Sequence, residues 1–396
     1  MIEIVPLSAG LSSAVREFNA LLQPTGVSAF PESPVSRWLP RTGDAGIYEE
    51  PFVAVEDGNV RGGYILIRNT AQLGDEIVSL DGLRLPISQA VVNRKYSLLP
   101  ARLIKDALAR QPLLYGTGMG GHDVPVARLM KAIQFELYPV PFYFKILRPV
   151  RFLTRSHVMK PLAAKLAAYS GAAWGAVTAL DVLKVRNRSL ARRARVEVVE
   201  RFDSWADDLW EENRTRYSWV ATRDNRVLNA IYPPSDRRFL RVRVWEGARV
   251  AGWAVLLDLH LKDDERFGRV RSGQIVDCFA APEDAPLVVR GAACFLEERG
   301  VDFVRTHQSH PAWGNALRDA GFLLSGSSFF LCGISPALRE ILQRIDPLRL
   351  GVHLNRGDGD GPWYLPRRGT PAGAYPAWSA GVPAAEAMEQ THVLGD

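Results

Sequence analysis

Along this chain the apolar positions recur with two periods, about four residues in some stretches and two in others, and each change of period marks an element. Residues 2–5 (IEIV) predict a short strand. Residues 11–22 carry Val15, Phe18, Leu21 and Leu22 on one face, the pattern of an amphipathic helix. Residues 52–55 and 60–67 flank Glu-Asp-Gly-Asn, a hairpin signal. Residues 80–144 then read as strand, loop, helix, strand, glycine-rich turn, helix, strand. The strand at 80–87 is apolar-rich and bounded by turn residues. The helix at 102–109 has Leu103, Ile104, Ala107 and Leu108 at helical spacing. A short strand at 113–115 is broken by Gly116, Gly118, Gly120 and Gly121. A second helix at 124–134 has Pro125 in its first turn, and 142–147 is the closing strand. That order predicts parallel neighbours joined by crossover helices.

The pattern starts again near residue 195. Strands are predicted at 196–200, 239–244, 250–257, 273–279, 301–306 and 327–332. Helices are predicted at 205–214, at 285–299 before the C-cap Gly300, at 312–320, and at 336–346. The two halves read as copies. EDGNVRGGYIL (56–66) parallels WEGARVAGWAVL (245–256), and RLMKAIQFELYPVPFYF (128–144) parallels NALRDAGFLLSGSSFFL (315–331). The offsets are about 190 and about 187 residues, an agreement that points to an internal repeat.

Composition narrows the picture without redirecting it. The 396 residues are 47% hydrophobic and 23% charged, which is ordinary for a globular protein. A net charge of +6 suits an anionic partner but does not single out nucleic acid. Cys278, Cys294 and Cys332 form no CxxC pair, so neither a disulfide framework nor a zinc site is expected, and a reducing, cytoplasmic compartment fits. The N-terminal residues have no basic region followed by an apolar run, so a signal peptide is not expected. Residues 162–180 approach the length of a membrane span, but they are Ala/Gly-rich and contain Lys165. They read as a helical connector. Its flanks, Arg148, Arg151, Arg155, Lys160 and the cluster at 184–195, suit peripheral contact with an anionic membrane surface.

The order strand, helix, hairpin, strand, helix, strand, helix, strand resembles the GNAT acyltransferase fold. ALRDAGF (316–322) is similar to that family's helix before its sixth strand. Two such units in tandem resemble Fem-type peptidyltransferases and the N-acyltransferase-like proteins found with bacterial polysaccharide genes. The fold class implied is α/β (α+β), with two tandem GNAT-like domains, each a mixed central sheet flanked by helices. The expected divisions are 1–150, a basic connector at 151–194, a second domain at 195–335, an extension at 336–368, and a disordered tail at 369–396.

The resemblance implies N-acyl transfer from acyl-CoA or acetyl-CoA to an amine, with no metal. The acceptor would be a small molecule or a lipid-linked amine, such as an amino sugar or cell-envelope precursor. Pantetheine would lie between the splayed fourth and fifth strands, its pyrophosphate at the start of the following helix. The family's Arg/Gln-x-x-Gly-x-Gly/Ala signature is absent from both halves. In the first, NRKYSLLPARL (93–103) supplies Asn93, Arg94, Lys95 and Tyr96 but no glycine. In the second, CFAAPEDAPLVVRGA (278–292) places Glu283 and Asp284 where a pyrophosphate would sit, so the first half is the better donor site. There Ile87 and Ser88 are the main-chain contacts expected to face the thioester. An aminoacyl-tRNA donor, as in Fem-like enzymes, is one alternative. A catalytically degenerate scaffold in a membrane-associated complex is another.

Candidate chemistry is scattered. GTGMGG (116–121) follows a strand and precedes a helix, but no Lys-Ser/Thr follows, so it is not a P-loop. In the GNAT frame Gly118 and Gly120 lie at the mouth of the splayed strands, where a ligand can approach the backbone. Asp277 ends the fourth strand of the second half, where such enzymes often hold a carboxylate that takes the amine's proton. The other reading is a strand-end cap. His307 and His310 follow the fifth strand, and His307 is a candidate general base oriented by Asp277. Cys278 reads as inert core before it reads as an acyl relay. Asp358 and Asp360 in NRGDGDG lack the further ligands of a cation loop. That loop, flanked by Trp363 and Tyr364, is the candidate functional element outside the repeats. Glu32 in FPESP (30–34) lies where GNAT acceptor loops do.

Overall fold

The computed structural model describes residues 1–42, 46–119, 121–156, 194–262 and 267–359. The N-terminal half begins with β1 (Glu3–Pro6), α1 (Ser12–Leu22), β2 (Tyr48–Glu56) and β3 (Asn59–Arg68). A small hairpin follows, β4 (Thr70–Leu73) and β5 (Glu76–Ser79), then β6 (Asp81–Ser88) and α2 (Leu99–Arg110). The half closes with β7 (Leu114–Met119), α3 (Pro125–Ala132), β8 (Glu136–Ile146) and α4 (Pro149–Arg155).

The C-terminal half opens with β9 (Ala194–Val199), α5 (Ser204–Asn213), β10 (Trp219–Ala221) and α6 (Asn225–Ile231). A long hairpin comes next, β11 (Leu240–Glu246) and β12 (Arg249–His260), followed by β13 (Arg271–Ala280) and α7 (Ala285–Glu298). The last elements are β14 (Phe303–His307), α8 (Pro311–Asp319), β15 (Leu323–Ile334) and α9 (Pro336–Ile345).

Twelve strands make one mixed sheet in the order β1-β2-β3-β6-β7-β15-β8-β14-β13-β12-β11-β9. The order is a palindrome of two halves, with one exchange at its centre. β15 comes from the C-terminal half but pairs with β7, and β8 comes from the N-terminal half but pairs with β14. The expectation that the strands of 80–144 would be parallel neighbours is therefore corrected in part. β6 and β7 are parallel, but β15 separates β7 from β8. Two copies of the same aromatic strand compete for the same neighbour, and pattern alone does not say which copy wins.

The glycines at 116 and 118 do not break the second strand as expected; β7 runs through both. A Cβ at Gly116 would lie 3.4 Å from the Met130 side chain, and Gly116 faces Gly333 across the pair. Small residues here let β7, β15 and α3 approach. The β4–β5 hairpin, β10 and α6 were not anticipated. They are short, and β4, β5 and β10 form a separate three-stranded sheet bridging the halves.

The repeat is visible in detail. The chain leaves α3 through Gln134 at φ 69 and α8 through Gly321 at φ 81. In both places the next residue, Phe135 or Phe322, is buried, and its N–H reaches a carbonyl five residues back at 2.9 Å. α7 buries Ala285, Val288, Val289, Ala292 and Leu296 at helical spacing against β12 and β13. Most of the basic connector at 151–194, Gly120, Asp360, Trp363, Tyr364 and the tail lie outside the described residues. Among the described residues no helix is long and apolar enough to cross a membrane.

Candidate active site

Each half holds a place where its parallel strands part. β6 and β7 pair only at Asp81↔Leu114 and Gly82↔Tyr115. β13 and β14 pair from Ser272↔Phe303 to Ile275↔Thr306 and then diverge. Both fourth strands also carry a bulge at the divergence. On β6, Leu85 and Pro86 face the single residue Tyr64 of β3, and Leu85 takes φ 46. On β13 the register shifts between Val255 and Leu256 of β12, leaving Val276 as the extra residue. A leucine in the left-handed region is uncommon, and such strain gathers at functional sites.

The two partings differ in what fills them. In the C-terminal half, residues 352–358 enter the gap. Asn355 bridges Gln308 beyond β14. Ser309 N–H donates to Leu354 O at 3.0 Å, and Ser309 Oγ–H donates to Val352 O at 2.6 Å. On the other side His353 Nε2–H donates to Cys278 O at 2.9 Å. β13 is consequently buried from Ser272 to Ala280. In the N-terminal half, Arg84, Leu85, Pro86 and Ile87 are all half-exposed, and among the described residues no strand pairs with the β7 side of β6 beyond Gly82.

The inserted segment also carries Asp358 to the centre of the molecule. Arg223, which follows β10, donates from Nε to Asp277 Oδ1 at 3.1 Å and from Nη2 to Asp358 Oδ1 at 2.8 Å. Asp277 is held further by Tyr232 Oη (2.9 Å), Asn355 Nδ2 (2.7 Å) and the Cys278 N–H (2.8 Å). Asp358 takes the Asn355 N–H at 2.8 Å, and Tyr115 Oη on β7 donates to its carbonyl at 2.8 Å. Burial pushes the Asp358 carboxyl up to about 6, with Arg223 opposing the rise and Asp277 adding to it. Beside the cluster lies a cavity of about 20 Å³, room for a water, lined by Asn69, Tyr115, Thr222 and Asp358 among others.

Two of the three catalytic candidates are thus brought together, Asp277 and Asp358, on one guanidinium. His307 is not bonded to Asp277; its ring packs on Phe142 and Phe330, with centroids 4.9 and 5.1 Å away. His310 caps α8, its Nδ1 accepting the Ala312 N–H at 3.2 Å, and burial pushes it down to about 4, so it is neutral at pH 7. Burial pushes the Cys278 thiol well up, and its Sγ accepts from Gln308. Glu32 is exposed and pairs with Arg16.

The donor-loop candidates lie together at the end of β6. Ile87 and Ser88 close the strand, and Ser88 Oγ accepts the Ala90 N–H at 3.3 Å. Asn93 Oδ1 accepts the Lys95 N–H at 3.0 Å. The Lys95 ammonium lies 3.2 Å from Glu56, which also accepts Tyr96 Oη at 2.7 Å. Arg94 is exposed. Gly118 is buried within β7 at φ 84. Among the described residues no three His, Cys, Asp or Glu side chains converge to hold a metal.

Sequence reasoning passed over Arg223, Tyr115, Tyr232 and Asn355. Arg223 is one of 49 Lys and Arg residues and carries no motif, so only its burial identifies it. The glycines around Asp358 were the usable signal. A Cβ at Gly357 would lie 2.6 Å from Asp277 Oδ2, and one at Gly359 would overlap the Thr117 hydroxyl of β7.

No family model and no curated protein matches the sequence. Among solved structures the chain is similar to a GCN5-related N-acetyltransferase from Anabaena variabilis, with a TM-score of 0.50 and 10% identity over 85% of this chain and 74% of that one. It is equally similar to a conserved protein from Enterococcus faecalis described as a probable N-acyltransferase, with a TM-score of 0.50 and 10% identity over 87% and 74%. At that identity the likeness concerns the fold. The chain has the GNAT fold, as the order of its elements led us to expect.

Proposed function

We propose that this chain is an N-acyltransferase, moving an acyl group from a pantetheine thioester (acyl-CoA and acetyl-CoA among them) to an amine, and that the thioester lies between β6 and β7. The carrying observation is the difference between the two partings. Beyond Gly82 the β7 side of β6, which no strand pairs with among the described residues, runs past a strained bulge and stays half-exposed, whereas the matching place on β13 is filled by residues 352–358. An extended pantetheine arm offers the amides such an edge lacks.

In this reading the amine nitrogen attacks the thioester carbonyl, the C–N bond forms and the C–S bond breaks, and the pantetheine sulfur leaves as its thiolate. Main-chain N–H groups near Ile87 and Ser88 stabilise the oxyanion, and holding both reactants in one groove supplies much of the rate. Asp358 takes the proton lost by the amine, through a water in the cavity beside Tyr115. Its raised pKa suits it to that task near neutral pH. Asp277 and Arg223 position it. The acceptor classes to try first are amino sugars and cell-envelope precursors, which rest on family analogy.

The test is thiol release from acetyl- and octanoyl-pantetheine and their CoA thioesters, with a panel of amines. Ile87→Arg, at a position packed against the Val15 and Phe18 cluster, should lower kcat/KM by about tenfold or more when assayed well below its own melting temperature. The wild-type rate should rise with pH through about 6, and Asp358→Asn should lose that limb. Release that survives Ile87→Arg would move the groove to the other half. No release from any donor would remove the activity from this chain.

A further inference from the structure

We infer that the thioester reaches the β6–β7 groove on a small acidic carrier protein docked on the surface around Leu98, rather than as free CoA. This rests on the acyl-transfer reading above and names the donor's delivery.

Gripping a pyrophosphate takes converging N–H groups that have no other partner. The loop between β6 and α2 has already committed most of its own. The Ala90 N–H goes to Ser88 Oγ, those of Val92 and Asn93 to Gln89 O, and that of Lys95 to Asn93 Oδ1. The Tyr96 N–H goes to Asn93 O and the Ser97 N–H to Arg94 O. Pro100, in the first turn of α2, has no N–H to give. The loop contains no glycine to bring its backbone against a phosphate, and the Lys95 ammonium is held by Glu56. A free CoA would find the groove for its arm but little for its diphosphate.

The same loop presents a different kind of surface. Val91, Val92 and Leu98 are 56%, 44% and 81% exposed, three apolar side chains on the loop that leaves the end of β6. Arg94, Lys95 and Arg102 are exposed cations of the same stretch of chain, Lys95 beside Glu56 and Arg102 donating to the Ile2 carbonyl at 2.6 Å. Exposed apolar side chains interspersed along the chain with an excess of cations suit a protein face that is acidic with apolar positions of its own. A carrier of that kind brings the pantetheine arm covalently attached, so its affinity comes from the docking face and needs no diphosphate grip.

The experiment compares three donors of one octanoyl group: octanoyl-CoA, octanoyl-pantetheine and an octanoyl-loaded acidic acyl carrier protein. We expect kcat/KM for the carrier-bound donor to exceed that for octanoyl-CoA by about tenfold or more, and the preference for carrier over octanoyl-pantetheine to collapse in Leu98→Glu. Octanoyl-CoA performing as well as the carrier, or Leu98→Glu leaving that preference intact, would overturn the inference. Fluorescence anisotropy of the labelled carrier reads the docking independently of chemistry. Binding that weakens about tenfold in Leu98→Glu supports it even if no amine in the panel accepts the acyl group, a result that would count against the transfer reading instead. Failure of the carrier to bind, with Leu98-dependent binding to anionic vesicles or to tRNA in its place, would overturn it.

Discussion

Arg223 is the residue on which the centre of the molecule depends. It faces Asp277 and Asp358 with all three side chains about 2% exposed. Three buried charges in contact are tolerable only because every arm is matched: the guanidinium by two carboxylates and the Ala221 carbonyl, Asp277 by Tyr232 and Asn355 as well. Removing the cation strands two like charges in a dry site. Arg223→Met should therefore lower stability by about 3–5 kcal/mol, read from urea unfolding at pH 7.5. A loss below about 1 kcal/mol would mean that the carboxylates are solvated or protonated without their partner. The loss should shrink in acid. The Asp358 carboxyl is raised above its unfolded value, so its contribution is full below about 4 and fades as pH rises through about 6.

At the scale of elements, the segment 352–359 fills one of the two partings. It crosses the parting of β13 and β14, passes Arg223, and comes to rest against β7. Its glycines are there for close approach. Gly359 has φ −146 and ψ −48, outside the left-handed region that favours glycine, yet a Cβ would overlap Thr117. Gly359→Ala should cost about 1–3 kcal/mol, and Thr117→Gly should recover part of that loss in the double variant, a coupling that a double-mutant cycle measures. Additive losses would show that the two residues are not in contact in solution. The RGDGDG run stood out in the sequence for its composition, but its use as a wedge did not, because a wedge is defined by what lies opposite.

At the scale of the molecule, the exchange of β8 and β15 makes the halves interdependent. A fragment of residues 1–156 would leave the β7 edge open, and one of residues 194–396 would leave the β14 edge open. Such edges invite pairing with other chains. Expressed separately, the fragments should aggregate or self-associate. Expressed together, they should elute as one species of equal stoichiometry, which size-exclusion chromatography with mass measurement reads. Two stable monomers would argue that the exchange contributes little.

What the chain determined by itself is what depends on near neighbours. Helical faces such as Leu103, Ile104 and Ala107, turns such as Asp57-Gly58, and the end of α7 at Gly300 follow from side-chain period and backbone freedom, which are local properties. The repeat was legible for the same reason, since two copies fold by the same local rules and even their caps at Gln134 and Gly321 agree. Only the tertiary structure decided which copy of the last strand sits beside which fifth strand, that residues 352–358 fill the parting of β13 and β14 while β6 stays half-exposed, and that Arg223 gathers Asp277 and Asp358. Those outcomes join residues far apart in the chain, where contact is settled by competition among similar surfaces and by the need to match buried charge.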